Sequence, residues 1–130
     1  MNKYDGILTQ LKDATGPDDE IDKDIVRLFG EQCDDDPESG PYWILEFYGD
    51  SHMLWHDGVS DIPAFSGSID AALALVSEKL PGWDWVARPG FAQLYETPGD
   101  VWSASAQATA PTVPIAILIA LFKALEAQEE

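Results

Sequence analysis

The residues with the greatest chemical capacity lie in the first half of the chain. His52 and His56 stand four apart, with Asp50 and Asp57 beside them. On a helix, two imidazoles at that spacing share one face and can grip a tetrahedral metal. Gly49, Gly58 and the aromatic neighbours favour strand or loop instead, where the same spacing separates the two residues by about 13 Å. The glutamate that accompanies such histidines in metalloprotease helices is missing. Two ordinary histidines are the expectation, and a small metal-binding protein using His52 and His56 is the alternative. Asp34, Asp36 and Glu38 alternate like the first ligands of a calcium loop. A loop of that kind starting at Asp34 needs glycine at 39 and glutamate at 45, and the chain has Ser39 and Leu45. An exposed acidic loop is therefore expected.

The nucleophile inventory is equally thin. Cys33 is the single cysteine, so no internal disulfide can form. Surrounding carboxylates disfavour a reactive thiolate. Ser66, Ser68, Ser103 and Ser105 lack the Gly-x-Ser-x-Gly elbow of serine hydrolases, and no glycine-rich phosphate loop is present. The residues point away from an enzyme and imply no cofactor.

Charge is the dominant feature. The 130 residues carry 24 acidic and 7 basic groups, a net charge of −17. That balance excludes the basic stripe of a conventional nucleic-acid binder and argues against an anionic membrane surface. The excess is uneven, since residues 1–61 hold 16 acidic and 4 basic groups. A solvated, soluble surface explains this charge, and so does a surface that attracts a basic protein partner. The start, Met1-Asn2-Lys3-Tyr4-Asp5, is polar and resembles no leader. The longest apolar run, Val113 to Phe122, is about half the length of a bilayer span. A cytoplasmic protein is expected.

The elements that must position these groups can be read from periodicity. Tyr4, Ile7, Leu8 and Leu11 carry helical spacing over residues 2–14, with Gly16 suited to a left-handed position past the helix end. Pro17 fits the first position of a second helix. Its acidic first turn, Asp18-Asp19-Glu20, suits the helix dipole, and Ile21, Ile25, Leu28 and Phe29 form one stripe. Residues 31–40 read as an exposed loop, 41–48 as a strand, 49–51 as a turn, and 52–55 as a short returning strand. Residues 66–80 form a helix capped by Ser68, with Ile69, Leu73, Val76 and Leu80 on one face. Pro81-Gly82 stops it. Strands at 83–88, 91–96 and 101–108, joined at Pro89-Gly90 and Pro98-Gly99, make an antiparallel meander. Residues 113–128 form a helix apolar nearly all round for its first two turns, as buried helices are.

Together these predict one α+β domain over 1–130. It is an α–β–α sandwich with a short antiparallel sheet, an N-terminal helical hairpin and a buried C-terminal helix. Trp83 and Trp85 share a strand face and are expected to enter the core together, as tryptophan usually does. Asp18, Asp19 and Asp22 are expected away from the apolar stripe of their helix. Carboxylates in such a row imitate phosphates, because both present paired oxygens to arginine. With Asp34, Asp35, Asp36 and Glu38 of the acidic loop they form the candidate partner-binding set.

Three stretches carry a resemblance. They are Leu11-Lys12-Asp13-Ala14-Thr15-Gly16-Pro17-Asp18 with Ile21-Asp22, then Ser66-Gly67-Ser68-Ile69-Asp70-Ala71-Ala72-Leu73 with Pro81-Gly82-Trp83, then the Pro114 helix ending Lys123-Ala124-Leu125-Glu126-Ala127. The pattern resembles small proteins of phages, prophages and alphaproteobacteria that carry a phage ABA-sandwich-like domain. The resemblance implies an α–β–α sandwich and transfers no catalytic or binding residue; residues 31–60 look longer and more acidic than its usual pattern. With the acidity it implies an accessory protein that binds a host protein with a basic surface in the host cytoplasm, touching neither nucleic acid nor membrane directly. An anti-CRISPR-like inhibitor of host defence acting as a nucleic-acid mimic is one form of that expectation. A phage structural or assembly protein, homo-oligomeric through its terminal helix or tryptophan face, is the alternative.

Overall fold

The structure is a computed structural model, and it describes residues 3–33, 42–47, 50–55, 62–96 and 104–128. Ten elements follow in order: α1 (Asp5–Asp13), α2 (Asp19–Phe29), β1 (Glu31–Cys33), β2 (Tyr42–Phe47), β3 (Asp50–Trp55), α3 (Ile69–Lys79), β4 (Trp83–Arg88), β5 (Phe91–Glu96), β6 (Ala104–Thr109) and α4 (Val113–Gln128). The fold is α+β, with the expected helical hairpin at the N-terminus and the expected buried helix at the C-terminus. Its strands divide into two antiparallel three-stranded sheets, ordered β1-β2-β3 and β4-β5-β6.

α4 is the centre of the packing. From Ile115 to Phe122 every side chain is 0–4% exposed. The β4-β5-β6 sheet packs against it, and α1 and α3 pack against it as well. A helix enclosed in this way has no solvent face to make polar, which is why its sequence lacks an amphipathic stripe. Among the described side chains, the sheet contributes Ala92, Leu94, Ala106 and Ala108 as buried residues. Three of these four are alanines, so the sheet backbone can approach the bulky helix closely. Each large apolar side chain buried here contributes about 1.5–3 kcal/mol.

An aromatic joint locks the hairpin onto α4. Phe29 stacks on Phe122 at 5.8 Å, and Tyr4 lies 5.7 Å from Phe122 and 6.4 Å from Phe29. One ring comes from α2, one from α4 and one from the residue preceding α1. α2 also packs on β2, which ties the first sheet to the helical layer. There Phe47 meets Phe65 edge-on at 5.4 Å.

Several local expectations are corrected. Residues 31–33 are a strand, pairing Glu31 with Ile44 and Cys33 with Tyr42. Backbone hydrogen bonds alone can hold such an edge strand, so its exposed polar side chains gave no periodic signal. Asp50 and Ser51 belong to β3, opposite Phe47 and Glu46, rather than to a turn. Gly16 is not left-handed, because α1 ends when Ala14 turns extended at ψ 139°. Pro17 sits one residue ahead of the N-cap, which is Asp18. On α3 the buried residues are Ala72, Ala74, Leu75 and Val76, and Leu80 just past its end is buried as expected, while Ile69 is 45% exposed and Leu73 half-buried. Trp83 packs against the core but Trp85 is 47% exposed, because β4 is an edge strand and leaves one flank open. Pro98-Gly99 and Trp102 lie outside the described residues.

Candidate functional site

The candidate site begins at the N-terminus of α2. The first turn of a helix exposes N–H groups without helical acceptors, and a short carboxylate just ahead can satisfy them. Asp18 does so, accepting from Glu20 N at 2.9 Å and Ile21 N at 3.4 Å. Ser66, before α3, closes the arrangement from the other side. Its Oγ accepts from Asp18 N–H at 2.8 Å and donates to the Asp18 carbonyl at 3.1 Å. Its own N–H donates to Asp22 Oδ1 at 2.8 Å.

Asp22 therefore belongs to the buried side of α2. It is 6% exposed, among Ile21, Ile25 and Val26. Burial raises its pKa, opposed by the Ser66 hydrogen bonds, with the nearby Asp19 and Asp18 charges pushing in the same direction as burial. The sequence placed it on the acidic face because an aspartate in a helix is normally solvated. A donor 44 positions away in the chain reverses that placement. Asp19 is exposed, as expected, with Glu20 beside it, and Asp18 is half-exposed and occupied by capping. The remaining members of the candidate set, Asp34, Asp35, Asp36 and Glu38, lie outside the described residues.

The rest of this face is internally paired. Asp24 accepts from Arg27 at 2.7 Å and from Gln10 of α1 at 2.7 Å, and Lys23 lies 3.4 Å from Glu20. Lys3, Gly6, Ile7, Gln10, Asp24, Arg27 and Leu28 line a shallow open groove of about 310 Å³ between the two helices. A second groove of about 380 Å³ is lined by Phe29, Glu31, Ile44, Leu45, Glu46 and Lys79. Lys79 Nζ sits 4.3 Å from the Phe29 ring centre. Burial lowers the pKa of this ammonium. The groove thus brings two carboxylates, one amine and an aromatic ring to the same lining. No spacing rule finds this groove, because its residues come from α2, β1, β2 and α3.

His52 lies in a strand, opposite Leu45, so it has no helical i, i+4 relation to exploit. His56 and Asp57 lie outside the described residues, as do the last seven positions of the acidic stretch at 31–40. Among the described residues no group of three His, Cys, Asp or Glu side chains is placed to hold a metal. Cys33 is half-buried at the end of β1, its Sγ 3.9 Å from the Glu31 carbonyl. No helix among the described residues is long and apolar enough to cross a membrane. Comparison with protein-family models, curated proteins and solved structures finds no match to this chain.

Proposed function

We propose that this chain is a non-catalytic accessory protein that binds a protein with a basic face. The observation that carries the reading is how its few cations are used. Lys23 pairs with Glu20 and Arg27 with Asp24. Lys3, Lys79 and Arg88 lie over the rings of Tyr4, Phe29 and Phe91. Lys123 donates to the Gln107 carbonyl at 3.2 Å. Six of the seven basic side chains are thus engaged by their own chain, against 24 acidic ones. Such a surface presents net negative potential to any partner and steers basic proteins toward it. Asp19 and Glu20, exposed at the start of α2, belong to that surface. The stretches that resemble phage and prophage proteins favour a host protein as that partner. Occupation of a nucleic-acid channel, as in an anti-CRISPR-like inhibitor, is the sharpest form of the proposal.

The test is capture of partners from bacterial lysate at ~0.05 and ~0.15 M salt, where screening differs appreciably. The captured protein is expected to be one that binds DNA or RNA. Duplex DNA should compete it off, and D19K/E20K should weaken its capture. Capture indifferent to both DNA and charge reversal, or none at either salt, overturns the reading.

A further inference from the structure

The two edges of the β4-β5-β6 sheet are treated differently. At the β6 edge, Lys123 of α4 reaches the Gln107 carbonyl. A lysine at an unpaired strand is a common guard against edge-to-edge pairing. β4, at the opposite edge, exposes Trp85 (47%) and Val86 (42%) between Asp84 and Arg88, both also exposed. Within a molecule of net charge −17 this strand is locally neutral and partly apolar.

From these features we infer that β4 is a self-complementary edge, through which two copies of this chain pair antiparallel into one six-stranded sheet. The backbone sets which groups are free to do so. Arg88 pairs with Phe91 across the two-residue turn Pro89-Gly90, with Gly90 at φ 76°. In such a hairpin the closing pair is hydrogen-bonded, and alternate residues then face the open side. Trp83 confirms the phase, since its N–H points away from β5 to the Leu80 carbonyl at 3.1 Å. The N–H and C=O groups of Trp85 and Ala87 therefore face outward.

One register uses all of them. With the two-fold axis at Val86, each Trp85 exchanges both backbone hydrogen bonds with Ala87 of the other copy. Val86 faces Val86, and Asp84 faces Arg88 twice. The Asp84 and Arg88 positions fall on non-hydrogen-bonded sites, where opposite side chains lie closest. On the other face the large Trp85 lies beside the small Ala87. Arg88 rests on its own Phe91 ring at 4.8 Å in the single chain. Turning it to the partner carboxylate exchanges a weak exposed cation–π contact for an ion pair. Pro89, with no N–H, ends the ladder. A two-fold interface of this kind is closed, so association stops at the dimer.

The contact is small, so the association is weak. Sedimentation velocity of the full chain over about a hundredfold range of concentration in physiological salt is the measurement, with circular dichroism to check folding. The wild type is expected to show a concentration-dependent monomer–dimer equilibrium. D84R alone and R88D alone each set like charges opposite one another, and each should weaken self-association at least tenfold. An equimolar mixture of the two restores opposite charges in the mixed pair and should dimerise like the wild type, as should D84R/R88D. A chain that stays monomeric throughout overturns the inference. So does a dimer indifferent to the single charge reversals, or one that the mixture fails to restore.

Discussion

At the scale of single residues, Ser66 is joined to Asp18 and Asp22. Three of its hydrogen bonds fix α2 to the segment before α3. Asp22→Ala leaves the buried Ser66 N–H without its acceptor, which costs about 1–3 kcal/mol. Asp22→Asn keeps an oxygen there and removes the ionisation that burial opposes. In urea unfolding near neutral pH, the alanine variant should lose midpoint while the asparagine variant stays at or above the wild type. The sign with pH follows from the direction of the shift. Burial raises the pKa of Asp22 in the folded chain, so the folded state binds that proton more tightly than the unfolded one. The stability contributed by this group is fully present below the ordinary aspartate range and is lost as pH rises through the raised folded value. Any advantage of Asp22→Asn should therefore shrink as pH is lowered through that window. An advantage that grows on acidification contradicts the assignment.

At the scale of elements, one glycine decides how the hairpin meets the first sheet. Gly30 ends α2, its N–H donating to the Val26 carbonyl at 2.7 Å. A Cβ there would lie 2.7 Å from the Ile44 carbonyl oxygen of β2 and 2.6 Å from that of Val26. Both are backbone atoms, so neither can swing aside. Gly30→Ala must open the α2–β2 contact and is expected to lose about 2 kcal/mol in chemical denaturation. Gly6→Ala, where a Cβ meets nothing within 4 Å, is the control that should not destabilise. These elements also show what the sequence could and could not say. α4 was legible end to end, because ten enclosed positions leave a run of apolar residues that only a buried helix explains. Ser68 was legible as a cap, and it accepts from Ala71 N at 3.2 Å. β1 was not, because pairing through its backbone leaves no trace in side-chain type. Asp22 was not, because its placement depends on Ser66, a partner 44 positions away in the segment before α3. Trp85 was misread because strand period gives the face of a residue but not whether its strand is an edge.

At the scale of the whole molecule, charge sets the balance. Two like charges 10 Å apart in water repel by about 0.4 kcal/mol, and a net of −17 on 130 residues multiplies such pairs. Opposing this are exposed ion pairs such as Lys23–Glu20 and Arg27–Asp24, each worth roughly 0–1 kcal/mol. Salt screens both, and the sign of its effect tells which dominates. The Debye length falls from about 30 Å at 0.01 M to about 10 Å at 0.1 M, which removes long-range repulsion first. Short contacts at 2.7–3.4 Å are screened much less. Urea midpoints should therefore rise steadily with sodium chloride over that range, with the slope of the unfolding transition unchanged. A protein held mainly by its ion pairs would show the opposite trend. The same screening bears on the β4 pairing, since two copies each carrying −17 repel before their neutral edges meet. Self-association should accordingly strengthen from low to moderate salt, whereas capture of a basic partner should weaken. Opposite salt responses in one protein would separate the neutral edge from the acidic surface as two independent faces.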